Sequence, residues 1–447
     1  MDVVRRSAAL RAACGMAVLL AFPGPARALD LEGVMREVAA GHPGLEAARA
    51  RAAGAQSMTG PAGAWPAPMV ELAAANVPEG GAIDQEPMTM RTIGVSQRVP
   101  LFGRKGLDRQ AARARAEAMR AETGMAYFDA YGRAWRAYAE AWHAGERVRA
   151  TAAHVGTMER MLASARARYE SGAGRLDEVL RAEAERARAI ADLEMFRGEA
   201  RRARAMLDAL RGLDADATRD ELLEPPPAVE VPATPGPWLA ALDGGHPGLA
   251  GLDAQARGER LSARAARRMA LPDVELGFMW GFRETLVRVD PAATVPVTRI
   301  PQDDMWTARV GFMLPIFARS NELAEGRARD AMADAAEAER HAMRLDLEAG
   351  VAAAHADAFA AARTVRLMAD TVVVTFRRVL DASWSGYAAG TTDLWRTLDA
   401  AHDLWMQDIA LSRAREMLAM AEARFIELTG RGDLLGVRLP PAPGGAE

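Results

Sequence analysis

Two stretches in the second half of the chain alternate between apolar and other residues. The apolar positions of the two stretches are Val274, Leu276, Phe278, Trp280 and Phe282, then Trp306, Ala308, Val310, Phe312 and Leu314. A period of two residues is the pattern of a β-strand with one apolar face. The alternation therefore predicts a pair of strands whose aromatic side chains share one face.

A weaker pair of strands is predicted in the first half, near residues 69–77 and 88–99. Met88 and Met90 fall on one face of the second strand, whereas Ile93 and Val95 fall on the other. Because a strand keeps its two faces only while the period of two holds, we expect a twist or bulge there, or a strand that leaves a membrane midway.

Long stretches rich in alanine and arginine, both good helix formers, predict four long helices. These run from about Gly103 to Tyr169, from Leu176 to Leu210, from Asn321 to Tyr387 and from Asp393 to Thr429. A helix of about 67 residues is about 100 Å long at about 1.5 Å per residue. One compact core cannot cover such a rod, so we expect these helices to pack side by side.

Short turns with glycine separate the helices of each pair. Gly172 and Gly174 break the first pair and Gly390 breaks the second, while Thr392 and Asp393 can cap the returning helix. The pattern predicts two helical hairpins with exposed tips.

The chain repeats itself once. His42 to Leu45 recurs as His246 to Leu249, and Tyr169 to Gly172 recurs loosely as Tyr387 to Gly390. Two further matches lie between these, in the same order: 66–72 with 272–276, and 94–102 with 310–317. Matches in one order indicate a duplication, and the growing offset places a longer loop between Pro272 and Pro315.

This layout divides the chain into five parts. We predict a signal peptide at 1–28, a first repeat at 29–212, a proline-rich linker at 213–240, a second repeat at 241–430 and a tail at 431–447. Each repeat has the order helix, β-hairpin, very long helix, tight turn, long helix.

The N-terminus has the pattern of an export signal. Arg5, Arg6 and Arg11 precede a short apolar run, and Ala26-Arg27-Ala28 offers a cleavage site after Ala28. Cys14, the only cysteine, lies in this segment, so the mature chain has no thiol chemistry. After residue 28 no apolar stretch is long enough to span a bilayer as a helix.

Composition and charge narrow the classes of function. Only 6% of the residues are aromatic, which disfavours an all-β protein. The net charge of the full chain is −4, and the predicted signal is basic, so the mature chain is more acidic. An acidic chain is a poor match for nucleic-acid binding.

Four strands of about ten residues suit a membrane β-barrel in length and alternation. They cannot close a barrel alone, and an open sheet edge is not tolerated in lipid. Several copies must therefore pool their strands, with the long helices projecting as a bundle. Such a tube serves transport. The alternative is a soluble module: a periplasmic coiled-coil adaptor or scaffold protein without membrane strands.

Four segments resemble the outer-membrane efflux protein family, the TolC-like channels. They are HPGLEAARARAAGAQ, GVSQRVPLFGRKGLDRQAA, YESGAGRLDEVL and YAAGTTDLWRTLDA. The resemblance is greatest to the branch that serves heavy-metal resistance-nodulation-division pumps. It implies a mainly α-helical homotrimer with a twelve-stranded membrane β-barrel and a periplasmic helical tunnel, in the outer membrane of a Gram-negative bacterium. It also implies a periplasmic adaptor, an inner-membrane pump and passive conduction of heavy-metal cations.

The resemblance assigns roles to the hairpin tips. Adaptor docking would involve Gly172, Gly174 and Gly390. Tyr387 falls at the family's latch tyrosine, and Asp177 and Glu178 lie on the facing stretch, with Glu178 replacing the family carboxylate. Thr392 stands where the family has a latch arginine. The other interpretation of Tyr387 is simple packing at a helix end.

Two further positions match rings of aspartate that narrow similar channels. Asp399 matches one ring, whereas Arg396 reverses the charge at the other. Three copies of a lining carboxylate attract cations, but Arg396 one turn away opposes that effect. Asp399 could equally lie on a solvated helix face.

Histidines and methionines offer no metal site along the sequence. His341 and His355 would lie about 21 Å apart on one helix, and His42 and His246 precede prolines as turn residues. Most methionines fall at the spacing of a helical core; Met88 and Met90 are the least easily explained. Without catalytic motifs, we expect neither an enzyme nor a cofactor.

Overall fold

A computed structural model describes residues 29–84, 86–214, 221–227, 229–289, 294 and 297–441 of the chain. The predicted signal peptide and its cleavage site lie outside these residues, as do parts of the predicted linker and tail. No helix in the described part is both long and apolar enough to cross a membrane.

The first half contains five helices and two strands within the described residues. In chain order they are α1 (Leu31–Gly41), α2 (Pro43–Ser57), α3 (Thr59–Ala62), β1 (Met69–Ala75), β2 (Met90–Val99), α4 (Arg104–Glu170) and α5 (Leu176–Leu210). The predicted long helices and the first predicted hairpin all form. Helix α4 begins directly after Gly103, and the positive φ angles of Phe102 (60°) and Gly103 (72°) separate it from the extended backbone of β2.

The second half follows the same order with more interruptions. Its elements are α6 (Gly236–Leu239), α7 (Pro247–Met269), β3 (Asp273–Arg283), β4 (Leu286–Val289), β5 (Val297–Ile300), β6 (Met305–Met313), α8 (Glu322–Leu367), α9 (Val373–Ala388) and α10 (Leu394–Thr429). A π-helical turn, Met368–Val372, joins α8 to α9. The long predicted loop thus contains the short hairpin β4–β5, and the predicted single helix contains a π-turn.

Four antiparallel strands form one sheet in the order β1-β2-β3-β6. Strand β2 pairs residue for residue with β3, from Met90 opposite Arg283 to Val99 opposite Val274. The bulge expected in β2 is therefore wrong, whereas a twist, or a strand that leaves a membrane midway, stays a prediction. Ile93 and Val95 share a face with the aromatic residues of β3, and Met90 belongs to the other face, so the period of two is never broken.

The main core lies where both halves meet along the middle of α4. Tyr127, Tyr131, Trp135 and Tyr138 of α4 are fully buried there, together with Phe425 of α10. The hydroxyl of Tyr138 donates to the carbonyl oxygens of Leu29 (2.9 Å) and Glu224 (2.7 Å). The core thus attaches both the start of the described chain and the linker to the helical bundle.

A second, smaller core lies near the hairpin tips. It joins α4, α5, α9 and α10 through Met158, Met161, Leu162, Ala165, Val179, Ala182, Ala189, Tyr387, Leu394, Leu398 and Ala401. Between the two cores the buried side chains are both small and large, and include Ala144, Trp142, Phe196 and Trp405. The tips are therefore held by their own apolar cluster, far along the helices from the main core.

Candidate functional site

The first tip is a tight turn closed by backbone hydrogen bonds. The amides of Ala173 and Gly174 both donate to the carbonyl oxygen of Arg168, at 2.9 Å. Gly172 has a φ of 74°, which glycine adopts without steric cost. A Cβ on Gly174 would lie 2.9 Å from the backbone nitrogen of Tyr169, so this position also requires glycine.

The second tip has the same construction. Gly390 has a φ of 76°, and the amides of Thr391 and Thr392 donate to the carbonyl oxygen of Gly386. Asp393 caps α10, because its carboxylate accepts from the amide of Arg396 at 2.9 Å. The predicted cap is confirmed for Asp393, whereas Thr392 makes no capping hydrogen bond to α10 in the described structure.

Arg168 links the two tips, a role that the sequence did not reveal. Its Nη1 donates to the carbonyl oxygen of Tyr387 at 3.0 Å, and its guanidinium lies 4.9 Å from the centre of the Tyr387 ring. Its Nη2 donates to the carbonyl oxygen of Ala173 at 3.4 Å. One cation thus joins the C-terminal end of α9 to the first turn. No sequence signal could reveal this, since the two residues lie on different repeats.

Tyr387 is buried between the hairpins, with 2% of its surface exposed. Burial raises the pKa of its phenol, the carboxylate of Glu178 raises it further, and Arg168 opposes both. Glu178 is thus close enough to act on the charge of the Tyr387 phenol, but the buried hydroxyl of Tyr387 makes no hydrogen bond within the described residues. Asp177 is exposed instead and accepts a bidentate ion pair from Arg175 at 2.9 and 2.8 Å.

The remaining predicted tip residues lie on the outer surface of the single chain. Arg396 and Asp399 are exposed on the first turns of α10, and Thr392 is half-buried in the turn. Next to them, the guanidinium of Arg181 on α5 stacks 4.1 Å from the ring centre of Trp395. The returning helices α5 and α10 thus form a surface that carries charges of both signs.

The sheet has two different faces. One is apolar and exposed: Phe312 is 66% exposed, Trp306 64% and Leu72 75%. Following the register, this face carries Val70, Leu72, Ile93, Val95, Leu276, Phe278, Trp280, Phe282, Trp306, Val310 and Phe312. Arg91 is also on this face, at the end of the sheet, where it pairs with Glu284.

The opposite face is mixed and polar. It carries charges of both signs, hydroxyls, glycines and methionines: Met69, Glu71, Met90, Thr92, Gly94, Ser96, Arg98, Glu275, Gly277, Met279, Gly281, Met305, Thr307, Arg309, Gly311 and Met313. A sheet with one apolar and one polar face can separate lipid from water.

The histidines fill structural roles. His42 accepts from the amide of Gly44 and caps α2, and His246 is buried with its Nε2 3.0 Å from the carbonyl oxygen of Leu428. His355 makes a similar contact with Pro232 at 2.8 Å. Within the described residues, no group of three or more His, Cys, Asp or Glu side chains could hold a metal ion.

One family model matches most of the chain. The family model described as outer membrane efflux protein matches residues 34–213 and 242–431. No curated protein sequence matches the chain.

Solved structures share the fold at low sequence identity. The outer-membrane channel OprN aligns with a TM-score of 0.70 and 19% identity, covering 90% of this chain and 89% of that one. VceC of Vibrio cholerae aligns with a TM-score of 0.69 and 17% identity, covering 90% and 96%. CusC aligns with a TM-score of 0.69 and 15% identity, covering 91% and 92%.

Proposed function

Because the chain belongs to the outer membrane efflux protein family, we propose that several copies of it form the exit duct of a tripartite pump for heavy-metal cations. The protein is an outer-membrane efflux channel with the TolC-like fold. The finer proposal has three parts: a homotrimer, docking of a periplasmic adaptor and an inner-membrane pump at the helical tips, and a metal cargo.

The proposal that several copies assemble rests on one observation: among the residues that the structure describes, the four-stranded sheet has two unpaired edges. Strands β1 and β6 are at its edges and have no further partner within the described chain. An unpaired edge next to an exposed apolar face has no stable place in lipid. Pairing β6 of one copy with β1 of the next completes the backbone hydrogen bonds, and three copies supply twelve strands.

The structure of the two hairpin tips supports the proposal that partner proteins dock there. Both turns are built on glycine in the left-handed region, and both are exposed at the end of about 100 Å of helix. A partner that binds there with helical hairpins of its own would contact Gly172, Gly174 and Gly390. A membrane-free scaffold is the weaker alternative, since it would leave the apolar sheet face in water.

The assembly is tested on the full-length protein in the membranes of a Gram-negative host. We expect the mature protein to stay in outer membranes washed with high salt or urea, and to have three times the chain mass when extracted in detergent. Release by urea, or a monomer in detergent, would contradict the duct.

The cargo needs a separate experiment. We expect deletion of the gene to sensitise the native host to a heavy metal, and re-expression to restore tolerance. The support for a metal is the resemblance of the motifs to the heavy-metal branch, together with the methionines on the polar face. Unchanged metal tolerance with new sensitivity to detergents or drugs would overturn the metal cargo and leave the channel intact.

A further inference from the structure

Three methionines on neighbouring strands surround Gly281 on the polar face. Met305 of β6 is the direct partner of Gly281 on β3, and Met279 precedes it by two residues on the same face. Met90 of β2 pairs with Arg283, one step further along that face. Adjacent partners in a sheet lie about 5 Å apart and diagonal ones about 7 Å, within reach of long side chains.

Gly281 provides the space that the side chain of Met90 uses. The Sδ atom of Met90 lies 2.5 Å from the point where a Cβ on Gly281 would be, and the backbone carbonyl oxygen of Met305 lies 3.5 Å from the same point. The side chain of Met90 therefore crosses from β2 onto β3, towards the strand that carries Met305. A second glycine on this face, Gly94, is covered by Met279, whose Cε lies 3.6 Å from the corresponding Cβ position.

Core filling does not explain these methionines. Met305 is 40% exposed, and Met90 and Met279 are half-buried on the face that carries the charged and hydroxyl side chains. Methionine there provides a thioether with three rotatable bonds, which can adjust its position. Thioethers are soft ligands that select Cu(I) and similar ions over Mg²⁺, Ca²⁺ and Mn²⁺.

The charges around the cluster are compatible with a cation. Two arginines lie near the cluster on this face. Arg283, the cross-strand partner of Met90, donates from Nε and Nη1 to the carbonyl oxygens of Asp303 (2.6 Å) and Pro87 (3.2 Å). Arg309, diagonal to Met279, forms an ion pair with Glu275 at 3.9 Å. Glu71 lies in the same row as Met279, separated from it by Gly94. A carboxylate so close raises the local cation concentration.

We propose that Met90, Met279 and Met305 form a three-thioether binding site for soft monovalent cations, Cu(I) and Ag(I), on the channel-lining face of the sheet. The site rests on the proposed function, in which this face lines the duct. Each copy would contribute one site near the end of the sheet that carries β4 and β5. A transit site must bind weakly enough to release its ion.

The experiment measures silver binding to the purified full-length protein in detergent. Ag⁺ in chloride-free buffer is titrated by calorimetry, and X-ray absorption spectroscopy determines whether the bound silver has sulfur neighbours. We expect one sulfur-coordinated silver ion per chain. The triple variant Met90→Leu, Met279→Leu, Met305→Leu should weaken binding at least about tenfold, because it removes every soft ligand of the site.

Two further variants test whether the loss of silver binding is specific to this site or follows from any change in methionine content. Gly281→Ala keeps all thioethers but displaces the Sδ of Met90, so it should also weaken silver binding. The double variant Met195→Leu, Met206→Leu removes two exposed methionines of α5 and should bind silver as the parent does. Leucine is close to methionine in volume, so folding is preserved.

The results of this experiment test the silver site separately from the proposed metal cargo of the channel. Equal silver binding by the triple variant and the parent, or silver bound without sulfur neighbours, would overturn the site. This measurement involves no transport, so either result can occur while the gene still confers metal tolerance. Conversely, sulfur-coordinated silver in a protein whose deletion leaves metal tolerance unchanged supports the site and contradicts only the metal cargo.

Discussion

At the scale of residues, one arginine joins the two hairpin tips, which also share an apolar cluster. Arg168 on the first repeat binds both the ring and the carbonyl oxygen of Tyr387 on the second. The resemblance placed the latch on Tyr387, Asp177 and Glu178, with Thr392 in place of the arginine. The structure provides an arginine from a different helix, which restores a cation to the contact.

We expect Arg168→Ala to open the tip of the assembled channel. The change removes a cation–π contact and a charged hydrogen bond, together worth about 2 kcal/mol. The measurement is single-channel conductance in planar bilayers, which should rise. Arg166→Ala is the matched control, because Arg166 makes, among the described residues, only an exposed ion pair with Glu183 at 3.5 Å. An equal rise in both variants would contradict a specific role for Arg168.

Glu422 is the least satisfied group of the described residues. It is fully buried on α10, neither carboxylate oxygen has a hydrogen-bond partner, and burial raises its pKa well above 4.5. As the pH rises past 4.5, the unfolded chain loses this proton before the folded chain does. Stability is therefore lost with increasing pH until the folded-state pKa is passed.

We expect Glu422→Gln to stabilise the protein at neutral and alkaline pH by about 1–3 kcal/mol, because the parent must keep this carboxyl protonated or bury its charge on folding, whereas glutamine is neutral at every pH. Thermal unfolding in detergent, followed by circular dichroism, should show a gain that shrinks towards about pH 4, where the parent carboxyl is neutral in both the folded and the unfolded chain. Glu427→Gln is the control: Glu427 pairs with Arg136 and Arg424, so its neutralisation should bring no gain. A pH-independent gain would contradict this account.

At the scale of elements, glycines decide where the long helices end. Gly430 terminates α10 with a φ of 65°, and its amide donates to the carbonyl oxygen of Ile426 at 2.7 Å. A Cβ on Gly430 would lie 2.0 Å from the ring of Phe128. The end of α10 therefore depends on both backbone conformation and packing against α4.

We expect Gly430→Ala to lower the free energy of unfolding by more than about 2 kcal/mol, since the strain of a left-handed alanine adds to the clash of its Cβ with Phe128. Gly436→Ala is the matched control: its φ is 68°, but nothing lies within 4 Å of the added Cβ, so only the strain of about 1 kcal/mol remains. Thermal unfolding in detergent compares the two. Equal losses would show that the contact with Phe128 is unimportant.

The elements were the most predictable part of the molecule. Proline-free alanine-rich stretches predicted α4, α5 and α10 to within one residue, because a helix is specified by local propensity and caps. The strands β3 and β6 were predicted by their aromatic alternation. The π-turn at Met368–Val372 and the hairpin β4–β5 were not predicted, since neither is marked by an apolar periodicity of its own.

At the scale of the whole molecule, the charge at the tip should set ion preference. Arg396 and Asp399 are both exposed on α10 of the single chain, and in a trimer each would occur three times. The resemblance places them at the constriction, and their opposite signs would partly cancel.

We expect Arg396→Ala to raise the permeability of the channel to cations relative to anions, and Asp399→Asn to lower it, because rings of like charge select the opposite ion. Reversal potentials across a KCl gradient in planar bilayers measure both. Arg202→Ala, which removes an exposed arginine of α5, should leave the ratio unchanged. An equal shift with Arg202→Ala would show that the net charge of the protein matters rather than the tip.

The sequence alone indicated the long helices, the strands of the main sheet, the duplication and the need for more than one copy. These follow from local periodicity, from helix length and from the rule that a sheet edge must be paired in lipid. It also identified the tip turns, because their glycines are a local requirement. What the sequence left ambiguous was β2, where Met90 was expected to disturb the strand.

Only the tertiary structure decided which residues meet across the two repeats. It joined Arg168 to Tyr387, buried Glu422 without a partner and placed Met90, Met279 and Met305 around Gly281. Each of these contacts depends on strand register or on how two rods are aligned, and a change of one residue in register reverses which face a side chain occupies. That information lies in the packing of distant segments and not in any local pattern.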